Sequence, residues 1–155
     1  LATSAHPTYY ARSPRRALSV ITAVLAAAVP AAYVLGALAL AGEAAVHIQQ
    51  YIAIFHEVNW IGPLFLANAA TSLVVVVGLA YRPTRQFAAL AGVVISVVAL
   101  GSLVVSYGNG LFGWREAGFR TPIAVALIAE VASVVLLCAA LAASYQLREL
   151  RARRA

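Results

Sequence analysis

Long uninterrupted apolar runs, separated by clusters of Arg, Pro, Gly and aromatic side chains, set the pattern of this chain. Four runs stand out, at about residues 17–42, 60–81, 87–107 and 122–145. Each reaches the about 20 residues that a helix needs to cross about 30 Å of hydrocarbon. In lipid every backbone polar group must be satisfied internally, which leaves helices or a closed barrel. Stretches such as Leu-Val-Val-Val-Val at 73–77 lack the alternation of barrel strands. The pattern therefore predicts four transmembrane helices. Short connections make neighbours antiparallel, giving an all-α integral membrane protein, an up-down-up-down four-helix bundle.

Breakers and small residues refine this picture. Pro30, inside the first run, removes a backbone hydrogen bond and predicts a kink or a hinge. Pro63 falls in the first turn of the second run, and Pro122 opens the fourth after Thr121, a candidate N-cap. Small residues at four-residue spacing, Ala28, Ala32 and Gly36 in the first run and Ala88, Gly92 and Ser96 in the third, favour close helix contact.

Composition agrees with lipid as the solvent. Of 155 residues, 63% are hydrophobic and 10% charged, and the mean hydropathy is +0.89. Soluble domains carry about 25% charged residues and about 45–50% apolar ones. The chain has no Lys, which excludes a Schiff base and a phosphate-loop lysine, and its single Cys, Cys138, excludes an intrachain disulfide or a Cys-rich metal site. There is no Asp to complete a hydrolase triad, and neither GxSxG nor HExxH occurs.

The arginines set an expected orientation. Arg12, Arg15 and Arg16 precede the first run, Arg82 and Arg85 separate the second and third, and Arg148, Arg151, Arg153 and Arg154 follow the fourth. Arg115 and Arg120 fall on the opposite side, with Glu43, Glu57 and Glu116. Basic loops stay inside, so both termini are expected in the cytoplasm (N-in/C-in) and the protein in the cytoplasmic membrane. Residues 1–16 and 146–155 are then cytoplasmic tails. The first run exceeds the about 7–15 residues of a signal-peptide core and is read as a retained span. Topology and anionic headgroups account for the basic excess, so no nucleic-acid partner is invoked.

An ionisable side chain inside a span is a functional hypothesis by default, and Glu130 is one. Counting about 1.5 Å per residue from the span ends puts Asn68 and Tyr33 near its depth and Ser96 slightly deeper, with Thr71, Ser72 and Ser133 close by. This buried polar layer reads either as an interhelical hydrogen-bond clamp, with a protonated Glu130 donating to Asn68 or Tyr33, or as a protonation or ligand site.

Two further constellations fall in the outer connections. Glu43, His47 and Gln50 share one face if the first helix continues past the membrane, and His56 and Glu57 follow. Glu43, His47 and His56 could ligate a divalent metal such as zinc or copper if the chain turns between the histidines. The two imidazoles are also the only axial pair for a haem, His6 being in the N-terminal tail, though ligands on one rim suit haem poorly. The other reading is a Glu43–His47 hydrogen bond at headgroup level. The segment Gly-Asn-Gly-Leu-Phe-Gly-Trp-Arg-Glu at 108–116 carries turn glycines and interface aromatics. It predicts a surface-lying cap, or a lid formed by Phe112, Trp114, Arg115 and Glu116 over the polar layer.

His47 near the outer end of the first span, Ile-Gly-Pro-Leu-Phe-Leu-Ala-Asn-Ala at 61–69, Gly-Leu-Phe-Gly-Trp-Arg-Glu at 110–116 and Glu130 together give the chain a likeness. It resembles a group of small four-span membrane proteins of high-GC bacteria, a family without established activity. The resemblance covers most of residues 17–145 and implies architecture alone.

The expected function is non-enzymatic: an accessory subunit or ligand-sensing partner of a larger membrane assembly, with a protein partner or further copies of itself in the bilayer. The first alternative is a small proton-coupled transporter or channel protomer using Glu130. The second is an outer-face metal or redox-cofactor binder using His47 and His56.

Overall fold

The computed structural model describes residues 14–153, with side chains from Leu18 onward. Residues 1–13 of the tail predicted over 1–16, with His6 and Arg12, lie outside that description, as do the side chains of Arg15 and Arg16 and all of Arg154, whereas the backbone of 14–16 is already helical. Four helices make up the fold: α1 (Pro14–Ala53), α2 (Ile61–Ala80), α3 (Arg85–Tyr107) and α4 (Thr121–Ala152). A single 3-10 turn, Phe55–Glu57, links α1 to α2. Among the described residues the β-type pairing is one isolated bridge, Leu111 to Trp114. All four helices are long and apolar enough to cross a membrane.

Successive helices run antiparallel. Tyr33 of α1 meets Ser144 of α4, while further along α1 His47 meets Glu130. The His47 ring lies 5.0 Å from that of Phe65 near the start of α2, and Gly78 late in α2 packs on Ala88 early in α3. Helix α1 lies against α2 and α4, and so does α3. The outward faces carry an apolar girdle: Phe87 is 79% exposed and Val77 72%. Burial in hydrocarbon suits such a surface as water does not.

Two helix boundaries differ from expectation. The first span was expected to end near residue 42, but α1 continues without a break to Ala53. Gly42 sits against Ala129 of α4 rather than at a chain reversal, and the Glu43 carboxylate finds a partner inside the bundle. Neither residue therefore stops the helix. The tail predicted from residue 146 is likewise mostly helix, since α4 runs to Ala152. Gln146, Leu147, Arg148, Glu149, Leu150 and Arg151 are good helix formers, and Arg153 reaches Glu149 one turn back at 3.7 Å. Helix α1 also runs through Pro30.

The half of the bundle nearer the termini is packed dry. Leu40 and Leu137 are wholly buried, with Val75, Leu79, Ala89 and Ala140 around them. A Cβ on Gly92 would come 2.7 Å from Leu137 Cδ1 and 3.0 Å from Leu40 Cδ1, so α3 packs closely here and a larger residue would require those methyl groups to shift. At the same end Arg85 closes the last turn of α2. Its Nε donates to the Leu79 carbonyl at 2.8 Å, and its guanidinium lies 5.4 Å from the Tyr33 ring centroid.

Helix α1, at about 60 Å, is longer than its partners. With Tyr33 level with Ser144, the end of α4 at Ala152 falls opposite about residue 25 of α1. The preceding turns project past the bundle, and Leu18, Val20, Ile21 and Val24 are exposed.

Candidate ligand cavity

The other half of the bundle is hollow. A cavity of about 340 Å³ lies between the four helices, walled by apolar side chains such as Ile61, Phe65, Ile95 and Ile123. Toward the termini it stops at the dry core of Leu40, Leu137 and Val75. Leu64 and Thr71 of α2 and Val94 and Val98 of α3 line it and are themselves exposed, so it opens sideways between α2 and α3.

The deep end carries the polar groups. Glu130 of α4 is 3% exposed and lines the cavity. Its Oε1 stands 3.8 Å from His47 Nε2, too long for a direct hydrogen bond, and its Oε2 has no partner. His47 Nδ1 lies 2.9 Å from the Glu43 backbone oxygen. A carbonyl only accepts, so Nδ1 carries a hydrogen and Nε2 is the atom turned to Glu130. Glu43, wholly buried, accepts a 2.7 Å hydrogen bond from Ser96 of α3 at Oε2, while its Oε1 has no partner. That bond crosses the bundle diagonally, joining α1 and α3, which are not neighbours. Asn68 lines the wall and accepts from Ser72 at 3.4 Å.

The far end is closed by aromatic and ionic contacts. Phe55 stacks on Phe65 at 4.4 Å and meets Trp114 edge-on at 5.1 Å. Gly62 is required where the 3-10 turn folds back, because a Cβ there would collide with the Phe55 carbonyl. Arg120 donates to Glu116 at 3.0 Å and reaches Gln50 at 3.5 Å, and all three line the cavity. In the cap itself Trp60 and Phe112 both adopt positive φ, 67° and 49°, with their rings 6.3 Å apart.

Several sequence-derived positions change. Glu43 and His47 stand inside the bundle beside Glu130, not on an outer rim, because α1 continues about three turns beyond the expected end. The same shift removes Tyr33 from the layer: it shares a 3.2 Å hydrogen bond with Ser144 near the arginine end. The clamp from Glu130 to Asn68 or Tyr33 is absent. Ser133 and Thr71 donate to carbonyls of their own helices, at Ala129 and Ala67. His56 is not brought to Glu43 and His47; it is half exposed and faces Glu57 at 3.7 Å. Among the described residues no group of three or more His, Cys, Asp or Glu could hold a metal ion. Of the expected lid, Trp114 and Glu116 line the cavity, while Phe112 and Arg115 are exposed. Sequence reasoning missed Phe55, Phe65 and Arg120 as lining residues. A signal existed in Glu43, His47 and Gln50, whose shared helical face is the one turned inward.

No family model matches the chain, and no curated protein or solved structure matches it.

Proposed function

We propose that this is a non-enzymatic, multi-pass protein of the cytoplasmic membrane, a ligand-sensing partner or accessory subunit of a larger assembly. It admits a small, mainly apolar molecule from the bilayer into the cavity between its helices. The arginine-bearing end faces the cytoplasm, with both termini inside. The observation that carries this reading is the cavity itself: about 340 Å³, open sideways, with an unpartnered, buried Glu130 oxygen at its deep end. Ligand sites are commonly apolar hollows with a few placed polar groups, and bundles hold them between helices. The closed floor at Leu40 and Leu137 favours binding over conduction through one protomer. Leu18, Val20, Ile21 and Val24 of α1, exposed among the described residues, favour a protein partner or a second copy.

A Trp60→Phe variant leaves Trp114, which lines the cavity, as the single tryptophan. In phosphatidylcholine nanodiscs, quenching of Trp114 by ω-bromo-octanol should saturate, and Ala126→Leu in the cavity wall should remove the saturable part. Quenching that only rises linearly, identical in both proteins, is partition into lipid and defeats the reading.

One observation favours the transporter alternative: Glu43, His47 and Glu130 form a contiguous set of titratable groups spanning α1 and α4. Proton flux into liposomes that Glu130→Gln leaves unchanged would remove it.

A further inference from the structure

We propose that the cavity selects lipophilic amines, whose ammonium group binds between Glu130 and His47 while the hydrocarbon part lies among Phe65, Phe55 and Trp114. This rests on the ligand-binding reading above and names the class of ligand.

The deep end is a set of acceptors short of donors. Glu130 offers an unpartnered Oε2 at 97% burial, taking the complement of its 3% exposure, and an Oε1 held by nothing closer than the imidazole at 3.8 Å. His47 Nδ1 is committed to the Glu43 carbonyl, so in the neutral ring Nε2 also accepts. Behind it Glu43 Oε1 is a second orphan acceptor. A buried acceptor without a donor costs about 1–3 kcal/mol, more when charged. A bound group bringing several N–H donors to one point would remove that cost for Glu130. An ammonium brings up to three, and a hydroxyl one.

Charge points the same way. This end of the bundle holds two buried carboxyl groups, Glu43 and Glu130, and one imidazole, and the chain has no Lys. Among the described residues, the guanidinium lining the cavity is that of Arg120, about 15 Å up α4 from Glu130 and already bound to Glu116 at 3.0 Å. Among the described residues no fixed cation reaches the acidic end, so none of them competes there with a cationic ligand head. Charge-assisted hydrogen bonds of this kind are about twice as strong as neutral ones. The aromatic rings beyond present faces compatible with a cation in passage and with an alkyl or aryl body at rest. An anionic head would meet the Glu130 carboxyl group, and a wholly apolar ligand would seal Glu130 in without a donor.

The test compares ω-bromo-octylamine with ω-bromo-octanol as saturable quenchers of Trp114, in the Trp60→Phe protein and in the same protein carrying Glu130→Gln, in phosphatidylcholine nanodiscs. The expected result is amine binding about tenfold or more tighter than alcohol, with Glu130→Gln removing the preference while alcohol binding persists, which shows that the variant is folded. Equal affinities in the parent protein, or an amine preference that survives Glu130→Gln, overturn the amine proposal and leave the ligand-binding reading standing. If neither compound gives a saturable component, both fall together.

Discussion

The two halves of the bundle are built from the same four helices and yet pack oppositely. Toward the arginine end, Leu40 and Leu137 are wholly buried and Gly92 packs directly against both. Toward the cap, the helices enclose about 340 Å³ and leave two carboxylate oxygens without partners. The difference lies in what projects inward. Small and aliphatic residues, Gly92, Ala89 and Ala140, let backbones close on the dry half. In the hollow half the inward positions belong to Glu43, His47, Ser96 and Glu130, which must meet donors and acceptors rather than simply interdigitate. One half is close-packed, and the other encloses the cavity.

The contrast can be broken most forcefully in the dry half. Leu137→Ala should lower unfolding stability in detergent by about 2–5 kcal/mol, since the surrounding helices cannot relax into the space. A loss below about 1 kcal/mol would mean the core is not close-packed. Next comes the diagonal bond: Ser96→Ala leaves Glu43 with neither oxygen satisfied and should cost about 1–3 kcal/mol of the same unfolding stability in detergent. A Ser96→Thr protein, keeping the hydroxyl, should recover part of it. Ala126→Leu, by contrast, adds volume where there is room and should change stability by about 1 kcal/mol or less, in either direction, while blocking the cavity. A large destabilisation there would show that the hollow half is already full. The smallest effect is expected at Ser102, whose hydroxyl bonds to Val98 of its own helix at 2.8 Å; Ser102→Ala should stay within about 0.5 kcal/mol.

The candidate site is partly legible in the amino-acid sequence alone. Glu130 stands out because a carboxyl amid Ala, Val and Leu is costly in lipid. Glu43 and His47 were equally visible, and their shared face with Gln50 followed from helical spacing. Their depth was not. Counting back from Gly42 takes the first span to end at that glycine, whereas α1 runs on to Ala53 and Ser96 on the opposite helix accommodates Glu43 inside. The error carried Tyr33 into the wrong layer and separated two halves of one site.

Hydrophobic runs, arginine spacing and breaker residues determined by themselves that the chain forms four long apolar helices, because each such run must satisfy its own backbone in a medium without water. Where along those helices the polar side chains meet depended on contacts between residues far apart in sequence. Ser96 with Glu43, His47 with Glu130 and Gly92 against Leu137 fix the axial register of the bundle. Helical periodicity sets a residue's angle around its own axis, but only packing against a neighbour sets its height beside that neighbour.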